Sequence, residues 1–461
     1  MRRSALVDIL LGLSAIAFYA MLASFGVPEA IEPSGATWRL PTSVLVSVLP
    51  LGIAPALLLC RRRREDRGRP LQRRWLLFIF SVGVAIRVPF LASPPVFSDD
   101  VYRYLWDGRV QSAGFDPYGI APNDPRLDGV EADRAAADRV RDRVNHPEIP
   151  TIYPPLLELV FRGVASTKSG LVGWRGLLLL ADLLTAFAIL RVSMRRGRDP
   201  RWVALYLWHP LPVIESAWSA HTEAIAVSFF ATGVAAVVTQ RRWIAALSIG
   251  LGGAAKLLPF GYLPYLARRV GWKWASASIG VAALTAVPFL GVDIERASAG
   301  LRTYAEGWYF NDVIFRPLGD LLGLQPENRL LQSTQLWRRV LQGAWVVLCL
   351  GVAWRGHNPV RVALVMALGF VLLTPTLHPW YVLWLLPFAA MEGSLAGVVL
   401  ASTVLFAYEI HLEWWAHAKW TESPWVRPFE WALPALILLW RGILGRRTDE
   451  EEGRTTLNST R

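Results

Sequence analysis

Two adjacent carboxylates, Asp99 and Asp100, follow an apolar run and open a polar stretch of the chain. If this stretch continues as a helix, Asp100, Arg103 and Asp107 lie three and four residues apart and share one face. A carboxylate pair at a lipid–water boundary can act as a general base and can engage a cation or a sugar hydroxyl. Asp99 and Asp100 are therefore the candidate catalytic residues; a solvated helix end is the alternative.

Aromatic and basic side chains accompany these acids. Tyr102, Trp106 and Arg109 form a neighbouring stripe if the helix continues. Guanidinium groups pair bidentately with phosphate, and aromatic faces stack on sugar rings, so this surface suits a sugar phosphate. We predict substrate-binding roles for Arg103, Trp106, Asp107 and Arg109. Interfacial belts also use Tyr and Trp, which is the alternative for the aromatic residues.

A lysine inside an apolar segment is a further candidate. Lys256 lies in GGAAKLLPFGYLP, where an ammonium group is costly unless it is paired or faces a wet cavity. Pro259 interrupts the helix beside it, so the segment 243–266 is predicted to form two short helices or a re-entrant pair. We predict that Lys256 binds a lipid phosphate; snorkelling to the interface is the alternative.

Three later turns carry polar residues. We predict that His378 and Tyr381, in LHPWY, bind the substrate: His378 contacts its phosphate or sugar, and Tyr381 orients the lipid that carries the sugar. A tight interhelical turn that uses the same residues is the alternative. His221 and Glu223, in AHTE, are weaker candidates for holding substrate. A zinc site that also uses His209 and Glu215 is disfavoured because the spacing is not compact. Tyr153, before two prolines, marks a rigid entry into the next apolar stretch and is a further binding candidate.

Two other segments complete the set of predictions. The stretch 302–323 is predicted to line the acceptor or lipid entrance through Glu306, Asn311, Asp312 and Arg316. The aromatic segment 411–425 is predicted to form a belt at the membrane surface. The segment Glu131–Arg143 has the pattern of an amphipathic surface helix.

The composition defines the class of protein. The 461 residues are 53% hydrophobic and 18% charged, with apolar blocks that recur along the chain. A bilayer core about 30 Å thick needs about 20 apolar residues per helix, so the chain is predicted to be an all-α polytopic membrane protein. A single soluble core, a collagenous chain and a disordered chain are excluded. The two cysteines give neither a disulfide framework nor a metal-binding spacing, and no nucleotide-binding fingerprint is present.

The distribution of charge gives a topology. The net charge of +12 is attributed to cytoplasmic loops and not to nucleic acid. The densest basic cluster, Arg61–Arg74, is predicted to be cytoplasmic, which also places the amino terminus inside. The path predicts about 13 to 14 membrane helices, among them a span over Trp202–Trp218. The membrane domain is predicted at 1–445, with long extracytoplasmic loops at about 94–168 and 291–340 that carry interfacial helices. Residues 446–461 are predicted to be a disordered cytoplasmic tail.

The segment SDDVYRYLWDGRVQSAGFDPY, followed by IYPPL, resembles the first outer loop of the GT-C superfamily of membrane glycosyltransferases. It is most similar to the bacterial mannosyltransferases that use a polyprenyl-phosphate sugar. The resemblance implies that the catalytic base belongs to the acidic pair. A lysine before proline, as at Lys256, and an HPxY turn, as at His378 and Tyr381, also match the family. The AHTE turn departs from the GHxD-like motif of relatives at the glycine and in the length of the acid.

The resemblance also implies an activity. The chain is expected to be an enzyme that transfers a hexose, most consistent with mannose, with inversion from a polyprenyl-phosphate donor to a glycan or lipid-linked acceptor. The reaction is expected at the outer face of the cytoplasmic membrane, in cell-envelope glycan synthesis. The implied partners are the donor, the acceptor and membrane lipids, without nucleic acid. No cofactor is assigned, and a divalent cation, Mg²⁺ or Mn²⁺, at the acidic pair is left open. The alternatives are a carrier or flippase for a lipid-linked sugar and a GT-C-like glycan ligase.

Overall fold

The computed structural model describes residues 3–24, 49–62, 73–135, 138–292, 295, 302, 308–323 and 331–440. Over these residues the chain folds into helices joined by turns and short 3₁₀ segments, with one isolated bridge between Phe310 and Thr376. The helices are α1 (Arg3–Ser24), α2 (Ala54–Arg62), α3 (Arg73–Ala85), α4 (Asp100–Ser112), α5 (Pro155–Ser166), α6 (Gly170–Arg195), α7 (Glu223–Val238), α8 (Arg242–Ala255), α9 (Leu263–Arg269), α10 (Trp272–Ala286), α11 (Phe315–Leu321), α12 (Leu331–Arg355), α13 (Pro359–Leu373), α14 (Leu386–Glu392), α15 (Leu395–Thr403), α16 (Ile410–His417) and α17 (426–440).

Several of these helices are apolar enough to cross a membrane. Within the described ranges, four stretches have the necessary length and hydropathy: Leu6–Ala23, Gly170–Arg195, Gln335–Arg355 and Leu395–Trp414. The predicted class, an all-α polytopic membrane protein, is thereby confirmed. The total of about 13 to 14 spans stays a prediction. Most of the basic cluster, part of the second long loop and the whole tail 446–461 lie outside the described residues.

The stretch Trp202–Trp218, predicted as one membrane helix, is broken and does not form a continuous helix. It consists of a 3₁₀ turn, two short helical pieces separated at His209, and a π-helical turn over Val213–Trp218. Pro210 and Pro212 lack the N–H groups that a continuous helix needs, and His209 Nδ1 accepts from the N–H of Leu211 at 3.1 Å. Irregular backbone at membrane depth is tolerated only inside protein, and almost all of this stretch is buried.

The predicted break within 243–266 is confirmed. α8 ends at Ala255, Lys256 adopts an extended backbone, and a 3₁₀ turn containing Pro259 leads into α9. Lys256 therefore stands at the end of a helix and not within one.

The predicted surface helix Glu131–Arg143 is wrong over its described part. Residues 131–135 form turns, and a single 3₁₀ turn spans Arg141–Arg143. The buried carboxylate of Glu131 accepts from the backbone N–H groups of Val140 and Arg141 and forms an ion pair with Arg109. These contacts fold the segment back on itself and replace the helical hydrogen bonds.

α4 and α5 pack closely against each other. A Cβ atom at Gly108 would overlap the carbonyl of Phe161, so only glycine permits this distance. Gln111 Nε2 donates to Glu158 Oε2 at 2.7 Å, and Thr151 Oγ1 donates to Glu158 Oε1 at 2.6 Å. The loop that begins at the acidic pair is thus a packed unit.

The helices connect two chemically different ends of the molecule. α7 runs from Glu223 to the basic turn at Arg241, and α8 runs from that turn back to Lys256. α9 then leads to Arg268, whose guanidinium donates to the carbonyl of Ala353 at 2.7 Å. Several basic turns that were predicted to be cytoplasmic therefore gather at one end, while Glu223 and Lys256 meet at the other.

A buried ion pair ties α6 to the chain that follows α3. Arg87 Nε lies 3.0 Å from Asp182 Oδ2, and both side chains are almost fully buried. Arg87 also donates to the carbonyl of Leu207, and Asp182 accepts from the hydroxyl of Tyr206 at 2.8 Å. A buried charge with this many partners is stable only while its counter-ion is present.

We expect Asp182→Ala to destabilise the protein by about 3–5 kcal/mol, because it leaves the Arg87 charge buried and unpaired. Thermal unfolding in detergent, followed by tryptophan fluorescence, measures the loss. Asp128→Ala is the control, since Asp128 pairs with Arg141 at the surface, where such a pair contributes at most about 1 kcal/mol. Equal melting temperatures for the Asp182 variant and the wild type would contradict the prediction.

Candidate functional site

A cavity of about 2180 Å³ collects most of the polar residues singled out in the sequence. It exceeds the roughly 300–1,000 Å³ of ordinary small-molecule sites, so it has room for a lipid-linked or polymeric molecule. The predicted site residues that line it are Asp99, Asp100, Arg103, Tyr153, Glu223, Lys256, His378 and Tyr381.

The acidic pair lies at the start of α4. Asp99 is the N-cap residue and Asp100 the first helical residue. A single amide holds both acids, because Asn145 Nδ2 donates to Oδ1 of Asp99 at 2.7 Å and to Oδ1 of Asp100 at 2.8 Å. Burial and the charge of Asp100 raise the pKa of Asp99, and the hydrogen bond from Asn145 opposes that rise. Asn145 was missed in the sequence, where nothing but its polarity distinguishes it.

Lys256 faces the cavity and is paired. Its Nζ lies 2.8 Å from Glu223 Oε1 and 5.4 Å from the centroid of the Tyr153 ring. Since Glu223 begins α7 and Lys256 follows α8, the α7–α8 hairpin brings the two charges together. Lys256 is thus paired within the protein, and about a quarter of its side chain is exposed, at the wall of the cavity.

A stack of rings lies beside the acids. His221 is buried and packs face to face with Trp380 at a centroid distance of 4.0 Å, and Trp380 stacks on His378 at 4.1 Å. Tyr381 lies edge-on to Trp380 at 6.0 Å. His221 itself does not line the cavity, but it stacks on Trp380, which does. The HPWY turn (residues 378–381) supplies the aromatic surface of the cavity at this point.

Three of the predicted site residues in α4 do not line the cavity. Trp106 is buried beneath the guanidinium of Arg141, Asp107 accepts from Arg103 Nε at 3.1 Å, and Arg109 pairs with Glu131. Trp106 and Arg109, predicted to bind a sugar and a phosphate, are therefore not among the residues that line the cavity. The predicted helix is present, so these residues lie near one another as expected. Trp106 and Arg109 pack against the loop between α4 and α5, however, and not toward the cavity.

The second loop contributes charged residues. Arg316 lines the cavity, as predicted, and pairs with Asp312 and with Glu422 Oε2 at 2.7 Å. Asn311 is buried and donates to the carboxylate of Glu430 in α17, so its contact is structural. Glu306 lies outside the described residues.

The aromatic segment predicted as a membrane belt contributes to the cavity wall. Trp414 and Trp420 line the cavity and contact each other edge-on, with a centroid distance of 5.9 Å. The fold of α16 and the following loop brings these rings to the same cavity as the acids, and the belt at the membrane surface stays a prediction.

The donor set for a metal ion is small. Within the described residues, no group of three or more His, Cys, Asp or Glu side chains is placed to hold a metal. Asp99 and Asp100 alone suit Mg²⁺ or Mn²⁺ as a partial ligand set, since Mg²⁺ commonly binds one or two carboxylates together with waters and substrate phosphates. A cation held by this pair would neutralise phosphate charge.

The fold and the cavity define a polytopic membrane protein with an acidic pair, a lysine and aromatic rings around one large site. Residues 13–276 match the family described as "Alpha-(1->6)-mannopyranosyltransferase, N-terminal domain", and residues 313–412 match the MptB C-terminal domain. The chain belongs to this mannosyltransferase family, which confirms the resemblance noted in the sequence.

Curated relatives carry corresponding names. The chain is 24% identical to alpha-(1->6)-mannopyranosyltransferase B of Corynebacterium glutamicum, over 76% of this chain and 65% of that protein. It is 27% identical to alpha-(1->6)-mannopyranosyltransferase A of Mycobacterium tuberculosis, over 68% of this chain and 66% of that protein. The chain thus spans just under two thirds of the length of these relatives. No solved structure matches it significantly.

Proposed function

We propose that this protein transfers mannose from a polyprenyl-phosphate donor to a saccharide acceptor, with inversion, at the extracytoplasmic face of the cell membrane. The observation that carries the proposal is one cavity lined by a carboxylate pair, a lysine and aromatic rings. The names of the relatives favour an α-(1→6) linkage, in which the acceptor supplies a 6-hydroxyl group.

The side chains match the needs of an inverting transfer. A carboxylate of the acidic pair removes the proton of the acceptor hydroxyl, and the oxygen attacks the anomeric carbon opposite the phosphate. The bond between the anomeric carbon and the phosphate oxygen breaks, and the polyprenyl phosphate leaves with the electron pair. Lys256 is the residue placed to stabilise the charge on that phosphate, by preorganised electrostatics. The rings of Trp380 and Tyr381 offer apolar faces to the sugar or the lipid.

The positions of the charged residues support an extracytoplasmic site. The basic turns at Arg241 and Arg268 lie at the end of the helices away from Lys256 and Glu223. Because basic loops favour the cytoplasmic side, the cavity is assigned to the outer side. Labelling of single cysteines placed at Asn123 and Gln240 with a membrane-impermeant maleimide tests the assignment in intact cells. We expect only the Asn123 site to react.

The activity is tested with purified protein in lipid nanodiscs. The substrates are radiolabelled polyprenyl-phosphate mannose and a short α-mannoside with a free 6-hydroxyl group. We expect an α-(1→6)-linked product that depends on both substrates. Movement of the donor across vesicles without transfer would instead identify a carrier, and transfer of a preassembled glycan would identify a ligase. Loss of transfer with a chelator, restored by Mg²⁺ or Mn²⁺, would add a cation at the acidic pair.

The hydrogen bond from Asn145 predicts a pH effect. This bond lowers the pKa of Asp99, so Asn145→Ala raises that pKa and keeps the proton bound to higher pH. The ionised pair then forms only at higher pH, and the acidic limb of the profile of kcat/KM against pH moves upward. Asn123→Ala is the control because that side chain is exposed. An unchanged acidic limb in the Asn145 variant would contradict the prediction.

A further inference from the structure

A chain of buried side chains leads away from Asp100 into the protein. The hydroxyl of Tyr408 donates to Glu215 Oε1 at 2.7 Å, and Glu215 Oε2 lies 2.9 Å from His221 Nδ1. His221 Nε2 in turn faces Asp100 Oδ2 at 4.0 Å. Tyr408, Glu215 and His221 are each no more than 2% exposed, and the transfer chemistry described above uses none of them.

The contacts determine which atom of the imidazole is available. Ionised carboxylates only accept hydrogen bonds, so His221 can hold Glu215 and Asp100 together only as the imidazolium, in which Nδ1 and Nε2 both carry a hydrogen. His221 Nε2 is then the atom left for Asp100, and it has no hydrogen-bond partner among the described residues. Buried polar atoms are nearly always hydrogen-bonded. An unpartnered ring nitrogen beside a carboxylate of the site therefore indicates a role in that site.

The backbone is shaped to aim this ring. Glu215 lies in the π-helical turn Val213–Trp218, a conformation frequent at functional sites. Ala220, directly before His221, has a left-handed φ of 66°, which is strained for a residue with a Cβ atom. The N–H of His221 donates to the carbonyl of Glu215 at 2.8 Å, and Trp380 covers the ring. His221 is thus fixed by its backbone, its Nδ1 atom and one ring face.

We propose that His221 is a positioning residue that selects and orients Asp100 as the catalytic base, with Glu215 and Tyr408 holding the imidazole. This inference rests on the proposed function. It resolves the choice within the acidic pair, because the imidazole faces Asp100 while both acids share Asn145. The hydroxyl proton moves to Asp100, and His221 exchanges no proton in the step. The arrangement follows the general logic of a reactive group oriented by a second residue, which is in turn oriented by a third.

The test measures kcat and the donor KM of full-length protein in nanodiscs, with polyprenyl-phosphate mannose and the α-mannoside acceptor. For His221→Ala we expect kcat to fall about 10²-fold while the donor KM changes little. Glu215→Gln keeps the shape and removes the charge, so a fall of about tenfold is expected; Tyr408→Phe has a smaller effect in the same direction. Added imidazole is expected to restore part of the kcat of His221→Ala but none of that of Asp100→Asn.

His357→Ala is the matched control, because His357 is exposed at the basic end and contacts Arg269. A wild-type kcat for His221→Ala, or a change confined to KM, would overturn the inference. If His221→Ala does not fold, Glu215→Gln decides the question by its kcat. A wild-type protein that transfers no mannose would overturn the proposed function itself, which separates the two failures.

Discussion

Asp100→Asn is expected to reduce mannosyl transfer by about 10³-fold, within the range of general-base catalysis. The amide keeps the size of the side chain but cannot accept the acceptor proton. Because the carboxylate lies at the first turn of α4 and its partner Asn145 is an uncharged amide, the change should leave the fold intact. Single-turnover rates with preformed enzyme–donor complex measure the effect on the chemical step.

Asp99→Asn is the matched variant, since the two acids are adjacent and share Asn145. We expect mannosyl transfer to fall about tenfold in Asp99→Asn, because this substitution removes a charge beside the base but leaves the base, Asp100, in place. Equal losses in the two variants would contradict the assignment of Asp100. Full activity in both would refute any catalytic role of the acidic pair.

Lys256→Gln is expected to lower kcat by about 10²- to 10³-fold, the usual effect of removing one preorganised group that stabilises developing charge. The donor KM should rise as well, since the phosphate carries charge before the bond breaks. Rates measured over a range of donor concentrations separate the two effects. Donor analogues with a better leaving group should suffer a smaller loss, because they need less stabilisation.

Two variants control this prediction. Lys256→Arg retains the positive charge beside Glu223 and is expected to keep far more activity than the glutamine variant. Lys273→Gln removes an exposed lysine near the start of α10, whereas the cavity is lined by Ala286 at the other end of that helix. This variant is expected to have the kcat and KM of the wild type. A Lys256→Gln enzyme with normal kcat and normal KM would remove this lysine from the mechanism.

The class of fold and the core of the site could be predicted from local properties of the sequence. Apolar blocks of helical length indicate a membrane protein wherever they occur. The energetic cost of an ammonium inside an apolar segment and the nearby Pro259 marked Lys256 and the end of α8. Adjacent acids after an apolar run marked the start of α4. Each of these signals lies within a few residues, so no tertiary information is needed to read them.

The missed features depend on contacts between distant residues. Asn145 is 45 residues from Asp100, and Tyr408 is 193 residues from Glu215. Helical spacing places Trp106 relative to its neighbours but does not say which neighbour the helix face meets, and that face meets Arg141. The break around His209 contains two prolines, Pro210 and Pro212, within an otherwise apolar run. The prolines are a local signal for a break, but the apolar pattern favoured a continuous helix.

Because α4 packs closely on α5, the conformational entropy lost on binding is expected to come mainly from the substrates and not from the protein. Gly108 against the Phe161 carbonyl, together with the buried hydrogen bonds of Glu158, holds the loop that presents the acidic pair before any substrate arrives. Little conformational freedom of the protein then remains to be lost, so the ordering cost is borne by the polyprenyl chain and the glycan. Affinity should therefore respond more to the stiffness of the substrate than to changes in this loop, and a conformationally locked acceptor should bind more tightly than a flexible one with the same contacts.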